Sequence, residues 1–350
     1  MAASDPKRGE PAVSVIVATR NRSSYLRDCL ESLARQESAH QFEVVVVDNG
    51  SSDDTQAVVE EQARRDPRFR ATIEPQPGLS RAKNAGIETA RGRLLLFTDD
   101  DTIVQPGWID AYIDLFGSPE REPMVAGGPV VPTPEDLGSW PPWFDQAHLW
   151  DLGLLDLGAR RPLQFEYLWG GNMAVPAWAF ESLGGWDESI GRRGQERGTF
   201  EDTDYQDRVR KAGGAVWFCP AAVVHHRLSR TEITPERVVR TAFARGRNEY
   251  AQESLDGSLP PGGPAGGAGA GRLGVALARW LWWSARFRTT DGRAALERAR
   301  RAAWESGWSL DALRSGRERA FLSWAAGRLA FGVRGLALRL TGDPASRPSR

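Results

Sequence analysis

Three features of this sequence predict an α/β fold with a mostly parallel central sheet flanked by helices. Short apolar runs each stop at polar or acidic residues, amphipathic segments are spaced between them, and the alternation breaks off after residue 116. Unbroken runs of Val, Ile and Leu fit strands buried on both faces, the condition of a parallel sheet covered by helices. Ligands of such sheets bind beyond the strands' carboxyl ends, so the residues that terminate each run carry the chemistry.

The first run is Val13-Ser14-Val15-Ile16-Val17-Ala18-Thr19, and Arg20-Asn21-Arg22-Ser23 breaks it and can cap a helix over 24–36. There Tyr25, Leu26, Cys29, Leu30 and Leu33 share one stripe. A second strand over 43–47 ends at Asp48-Asn49-Gly50-Ser51-Ser52-Asp53-Asp54, a loop of turn formers that leads into a helix over 54–65. A strand over 69–73, a helix over 79–90 and a strand over 94–97 follow, and the last runs into Asp99-Asp100-Asp101. Side chains two apart on an extended chain share a face, so Asp99 and Asp101 address one ligand while Asp100 turns away. Two oxygens that close suit a hard divalent cation, and through it a diphosphate; the plainer reading is a solvated acidic turn. Thr19, Arg20, Asp48 and the acidic triplet therefore converge on one cleft. No GxGxxG follows the first strand, which argues against a dinucleotide-binding unit.

After a helix over 107–116, residues 127–171 are rich in Gly, Pro and Trp and read as strands and long loops that build a second half of the site. In Trp169-Gly170-Gly171-Asn172 the glycines beside Asn fit backbone held close to a ligand, or simply a tight turn. A short helix over 177–183 and the turn Gly184-Gly185-Trp186-Asp187-Glu188 come next. Glu201, Asp202 and Asp204 open a helical pattern with apolar Tyr205 and Val209; acids there also simply complement the helix dipole. Strands over 215–219 and 222–226 close the region. His225 and His226 point to opposite faces of the last strand, so at most one reaches a metal.

The domain plan is a disordered N-terminus over 1–10, halves over 11–126 and 127–256, a Gly/Pro-rich linker over 257–271, a helical region over 272–340 and a tail over 341–350. The net charge of −1 conceals a split: residues 271–350 hold 16 Arg against 6 acids, a net +10, which leaves −11 on the first 270 residues. Six tryptophans between 280 and 324, with Arg317, Arg328 and Arg339 repeating every 11 residues, fit helices on an anionic membrane surface, or a bundle packed on the body or a dimer partner. Nothing in the body supports a nucleic-acid partner. Cys29 and Cys219 read as packed reduced thiols, which makes a cysteine zinc site unexpected. Residues 1–11 lack the apolar core of a signal peptide and no run is long enough to span a bilayer, so a cytoplasmic protein, peripheral on the membrane at most, is expected. Oligomeric state is not legible.

Six stretches in order resemble the inverting family 2 glycosyltransferases of the GT-A fold: 14–22, 47–55, 78–86, Asp99-Asp100-Asp101, Gly170-Gly171-Asn172 and Glu201-Asp202. The resemblance covers about residues 13–230 and implies a nucleoside diphosphate sugar donor in the first half and a glycan or lipid-linked acceptor in the second. By that resemblance Thr19, Arg20 and Asp48 hold the nucleotide, Asp99 lies near the ribose and sugar, Asp100 counts among the nucleotide-sugar-binding residues, and Arg81, Lys83 and Asn84 border the donor. Asp101, with Asp99 and His226, binds Mg²⁺ or Mn²⁺. Asp202 is the expected base and Glu201 its alternative; the helix start and a nearby cation favour its ionised form. Gly171 and Asn172 border the acceptor, and Trp169 and Trp186 stack on a sugar or pack in the core. The rival readings are a magnesium-dependent phosphohydrolase built on Asp99-x-Asp101, and a non-catalytic sugar-binding protein.

Overall fold

A computed structural model describes residues 11–118, 122–133, 148–164, 166–190 and 201–228, with isolated positions at 140–144, 233–242, 300 and 303. The expected disordered N-terminus, the linker over 257–271 and nearly all of the basic region over 272–340 lie outside the described residues. Two compact units divide the chain, residues 1–133 with 154–227 and residues 134–153 with 228–350. In the second, buried Asp151 pairs with Arg300 at 3.0 Å. All elements below belong to the first.

Strand β1 (Val13–Thr19), helix α1 (Ser23–Ala34), β2 (Phe42–Asp48), α2 (Thr55–Arg65), β3 (Phe69–Ile73), α3 (Leu79–Thr89) and β4 (Leu94–Asp99) alternate as the apolar runs require. β1 lies between β2 and β4, parallel to both, and β3 pairs parallel with β2 at the edge. Every residue of β2 is buried, as expected for a strand with helices on both faces. Leu26, Cys29, Leu30 and Leu33 of α1 are buried too, and each leucine sealed this way contributes about 1.5–3 kcal/mol. Asp53, from the loop after β2, accepts from the Ser23 N–H at 3.1 Å and so caps α1 from outside its own sequence. α3 rides close on the sheet at Gly86, where an added Cβ would fall 2.5 Å from Ile16 Cγ2.

β5 (Thr102–Val104), α4 (Trp108–Phe116), β6 (Pro123–Gly127), β7 (Val130–Pro132), β8 (Arg161–Leu163), β9 (Asn172–Pro176), α5 (Ala177–Leu183), α6 (Glu201–Lys211), β10 (Ala215–Phe218) and β11 (Val224–His226) complete the described unit. The main sheet runs β3-β2-β1-β4-β9-β6-β10-β8, with β9 antiparallel to both neighbours. The stretch read from sequence as a binding loop at Asn172 is thus the start of a central strand. A second sheet, β5-β11-β7, sets β11 antiparallel on β5 with His226 opposite Thr102. Among the described residues no helix is long and apolar enough to cross a membrane.

Candidate active site

β4 ends at Asp99, and Asp100 and Asp101 form the turn before β5. The alternation that pairs Asp99 with Asp101 therefore does not hold, because it applies only while the chain stays extended. Asp100 and Asp101 instead share one cation: Arg22 Nη1 donates to Asp100 Oδ1 at 2.9 Å and to Asp101 Oδ2 at 2.6 Å. Buried Thr19 donates its hydroxyl to Asp100 Oδ2 at 2.8 Å, so it braces the acidic turn rather than facing a nucleotide. Burial pushes the Asp100 carboxyl up to about 6 against the opposing pull of Arg22, and the neighbouring Asp101 charge adds to the rise. Burial acts on Asp101 in the same sense, but His226 and Arg22 outweigh it and hold that carboxyl well below the usual range.

The small sheet delivers His226 to this turn. The Arg227 N–H donates to the Asp101 carbonyl at 2.9 Å, and His226 Nε2 lies 3.5 Å from Asp101 Oδ2. His225 faces the other way, its Nδ1 donating to the Pro132 carbonyl at 3.1 Å. Among the described residues no three His, Cys, Asp or Glu side chains gather closely enough to hold a metal alone. Asp101 and His226 supply one hard oxygen and one imidazole, which fits a Mg²⁺ or Mn²⁺ that takes its remaining ligands from diphosphate and water. Asp99 departs from the expected ligand set, since its carboxylate lies against Gly171 instead.

A second charged cluster sits beside the first. Lys83, on α3, is buried, donates to Glu201 Oε1 at 3.0 Å and lies 4.9 Å over the Trp186 ring. Burial opposes its charge, yet the carboxylates of Glu201, Asp99 and Asp202 prevail and raise its affinity for the proton. Asp202 is also buried; its Oδ2 accepts from the Gly170 N–H at 2.8 Å and its Oδ1 from the Thr203 N–H at 2.8 Å. Burial first, then the charge of Glu201, pushes Asp202 up to about 6, and Lys83 and the two N–H groups only partly offset this. The helix start was expected to favour the carboxylate outright. Removal from water is the larger effect.

Gly170-Gly171 separates these carboxylates. A Cβ on Gly171 would lie 2.3 Å from Asp99 Oδ2, and one on Gly170 would lie 2.9 Å from Lys83 Nζ and 3.2 Å from Asp202 Cβ. The glycines let backbone pass between Asp99 and Asp202 with no side chain in the way. Gly171→Ala is expected to push Asp99 off its position and lower kcat/KM by up to about 10²-fold, as a small misplacement near reacting atoms does. Steady-state kinetics on the purified variant read this out.

Several expected contact residues have structural partners. Asn172 is fully buried: its Oδ1 accepts from Trp108 Nε1 at 2.8 Å and the Tyr112 hydroxyl at 2.7 Å, and its Nδ2 donates to the Pro129 and Ala222 carbonyls. With its amide committed, it is a bracket between α4 and the loops and not an acceptor contact. Asn84 likewise clasps the turn after α5, donating to the Trp186 carbonyl and accepting from the Trp186 N–H. Trp186 is buried in an aromatic cluster with Phe97, Phe180 and Tyr205, so it packs rather than stacking on a sugar. Arg81 pairs with Glu188 at 2.9 Å on the same turn. Arg20 is exposed, Trp169 partly so, and Asp48, buried at the end of β2, accepts from the Ser51 N–H at 2.9 Å. Arg22 was missed as a site residue; its position two after Arg20, in a loop leaving a strand's carboxyl end, was the available signal.

The profile of Glycosyl transferase family 2 matches residues 14–175, the stretch that runs from β1 through β9. Validoxylamine A glucosyltransferase of Streptomyces hygroscopicus subsp. jinggangensis is 30% identical over 203 residues, 51% of this chain and 48% of its own. A glucosyl-dolichyl phosphate glucuronosyltransferase of Haloferax volcanii is 23% identical over 247 residues, 69% of this chain and 78% of its own. An N-acetylglucosaminyltransferase of Mesorhizobium japonicum is 40% identical over 107 residues, 29% of this chain. The chain spans about half the length of the first of these, at 48%, and a quarter of the last, at 25%. The Glycosyl transferase family 2 profile thus covers the strands that end in Thr19, Asp48 and Asp99, and residues 14–175 of this chain are similar to that family.

Proposed function

We propose that this protein transfers a sugar from a nucleoside diphosphate donor to an acceptor hydroxyl by a single inverting displacement, assisted by Mg²⁺ or Mn²⁺. The observation that supports this most is the pair of carboxylates on either side of Gly170-Gly171: Asp99 at the end of β4, Asp202 at the start of α6. One serves the donor and the other the acceptor.

In this reading the donor lies across the carboxyl ends of β1, β2 and β4, with Asp48 accepting from a base N–H and Asp99 from a sugar hydroxyl. Asp101 and His226 would hold the cation, whose chemistry is to neutralise the departing diphosphate. Asp202 takes the acceptor's proton as the acceptor oxygen bonds to the anomeric carbon and the bond to the diphosphate breaks on the opposite face. A carboxylate raised to about 6 is a stronger base than an ordinary aspartate and is still mostly ionised at neutral pH. Glu201 is spent on Lys83, which favours Asp202 over it. Trp169, partly exposed next to Gly170, is the aromatic side chain we assign to a glycan or lipid-linked acceptor.

A panel of nucleoside diphosphate sugars with Mn²⁺, read by release of nucleoside diphosphate, tests the reading. Turnover of at least one donor, lost on chelation, is the expected result. Phosphate released from phosphate esters, with no nucleoside diphosphate from any donor, would establish the phosphohydrolase instead.

A further inference from the structure

We infer that Arg22 and a divalent cation contend for the same oxygen of Asp101, and that the donor's diphosphate resolves the contest by drawing the guanidinium away. The inference rests on the donor reading above. A single nitrogen, Arg22 Nη1, makes both contacts, 2.9 Å to Asp100 Oδ1 and 2.6 Å to Asp101 Oδ2. The second of these oxygens is the one that lies 3.5 Å from His226 Nε2. A cation held between Asp101 and His226 must therefore take the oxygen that the guanidinium already holds, and two positive groups on one oxygen repel.

The arginine is built to leave. Its side chain is 37% exposed, whereas the two carboxylates are 6% and 13% exposed. It sits at the N-cap of α1, just after Asn21 at φ +53°, on a loop rather than within an element. When the guanidinium departs, Asp100 keeps the Thr19 hydroxyl on its other oxygen, so the turn is not left without a donor. Arg22 also lies over the Tyr25 ring at 5.5 Å, and Arg227 lies over that ring at 5.1 Å. Diphosphate is the matching ligand, because a guanidinium binds phosphate oxygens in a two-pronged, charge-assisted geometry.

Calorimetric Mn²⁺ titrations of the full chain and of Arg22→Gln, each alone and with UDP or GDP, test this. Without nucleotide, Arg22→Gln is expected to bind Mn²⁺ about tenfold or more tightly than the wild type, since no charge-assisted hydrogen bond has to be broken. Nucleotide is expected to tighten Mn²⁺ by a larger factor in the wild type than in the variant, because only the wild type has an arginine to release. Static repulsion alone would leave the two factors equal. Arg22→Lys keeps the charge, and replaces Arg22→Gln should the latter fail to fold; its Mn²⁺ affinity is expected between the two. Equal Mn²⁺ affinities, or equal nucleotide enhancement, overturn the role of Arg22 and leave the donor reading standing. No Mn²⁺ binding by any form, with or without nucleotide, overturns both.

Discussion

Asp202→Asn is expected to lower kcat by about 10²–10⁴-fold while leaving donor affinity nearly unchanged, the range a positioned general base contributes. The substitution keeps shape but offers one oxygen where the carboxylate gives Oδ2 to the Gly170 N–H and Oδ1 to the Thr203 N–H, so one hydrogen bond is lost along with the base; the loss of rate is assigned to proton transfer. Two pH measurements separate this from a structural effect. Wild-type kcat is expected to rise through about pH 6 as Asp202 loses its proton, and the residual rate of the variant is expected to lack that step. Stability runs the opposite way. The folded carboxyl titrates above its ordinary 3.8, so the unfolded chain gives up its proton first, and this group's contribution falls as pH rises from about 4 to about 6. Asp202→Asn removes that pH-dependent penalty, so its melting temperature is expected to fall less than the wild type's as pH rises from about 4 to about 6.

Lys83→Met is expected to destabilise the protein by about 3–5 kcal/mol, the cost of breaking a buried ion pair by removing one partner. The lysine is 5% exposed at its side chain, and Glu201 is 7% exposed. Without it, Glu201, Asp202 and Asp99 confront one another with no internal cation. Urea unfolding measures the loss. Two further outcomes identify electrostatics as the cause: Lys83→Met with Glu201→Gln regains part of the stability, and the single variant recovers as pH falls and the stranded carboxylates protonate. If both stay at the single variant's neutral-pH value, the lysine contributes by packing over Trp186.

The strand-helix alternation was legible because the apolar runs of β1, β2 and β4 are six or seven residues long and lead into polar loops, and α1 buries the leucines of the stripe its sequence draws. β9 was not. It has five residues, follows two glycines and ends in Pro176, so its local pattern reads as loop; its place between β4 and β6 is fixed by partners far away in the chain. The same distance hid the work of Asn172, since an asparagine beside glycines looks alike whether it meets a ligand or braces a fold. The acidic triplet misled by one residue: the strand ends at Asp99, and beyond it facing follows the turn. Strand alternation leaves His225 and His226 as alternatives and the family resemblance chooses His226; the register of β11 on β5 sets His226 opposite Thr102.

Two adjoining clusters set Asp99, Asp100, Asp101, Glu201 and Asp202 against the fixed charges of Lys83 and Arg22. The mouth of the strands thus holds a surplus of anions before anything arrives, and a bare nucleotide would be turned back by its own kind of charge. On the proposed reading, cation and donor are expected to arrive together, because the carboxylates repel a bare nucleotide and Arg22 opposes a bare cation, and added salt is expected to weaken the first of these barriers.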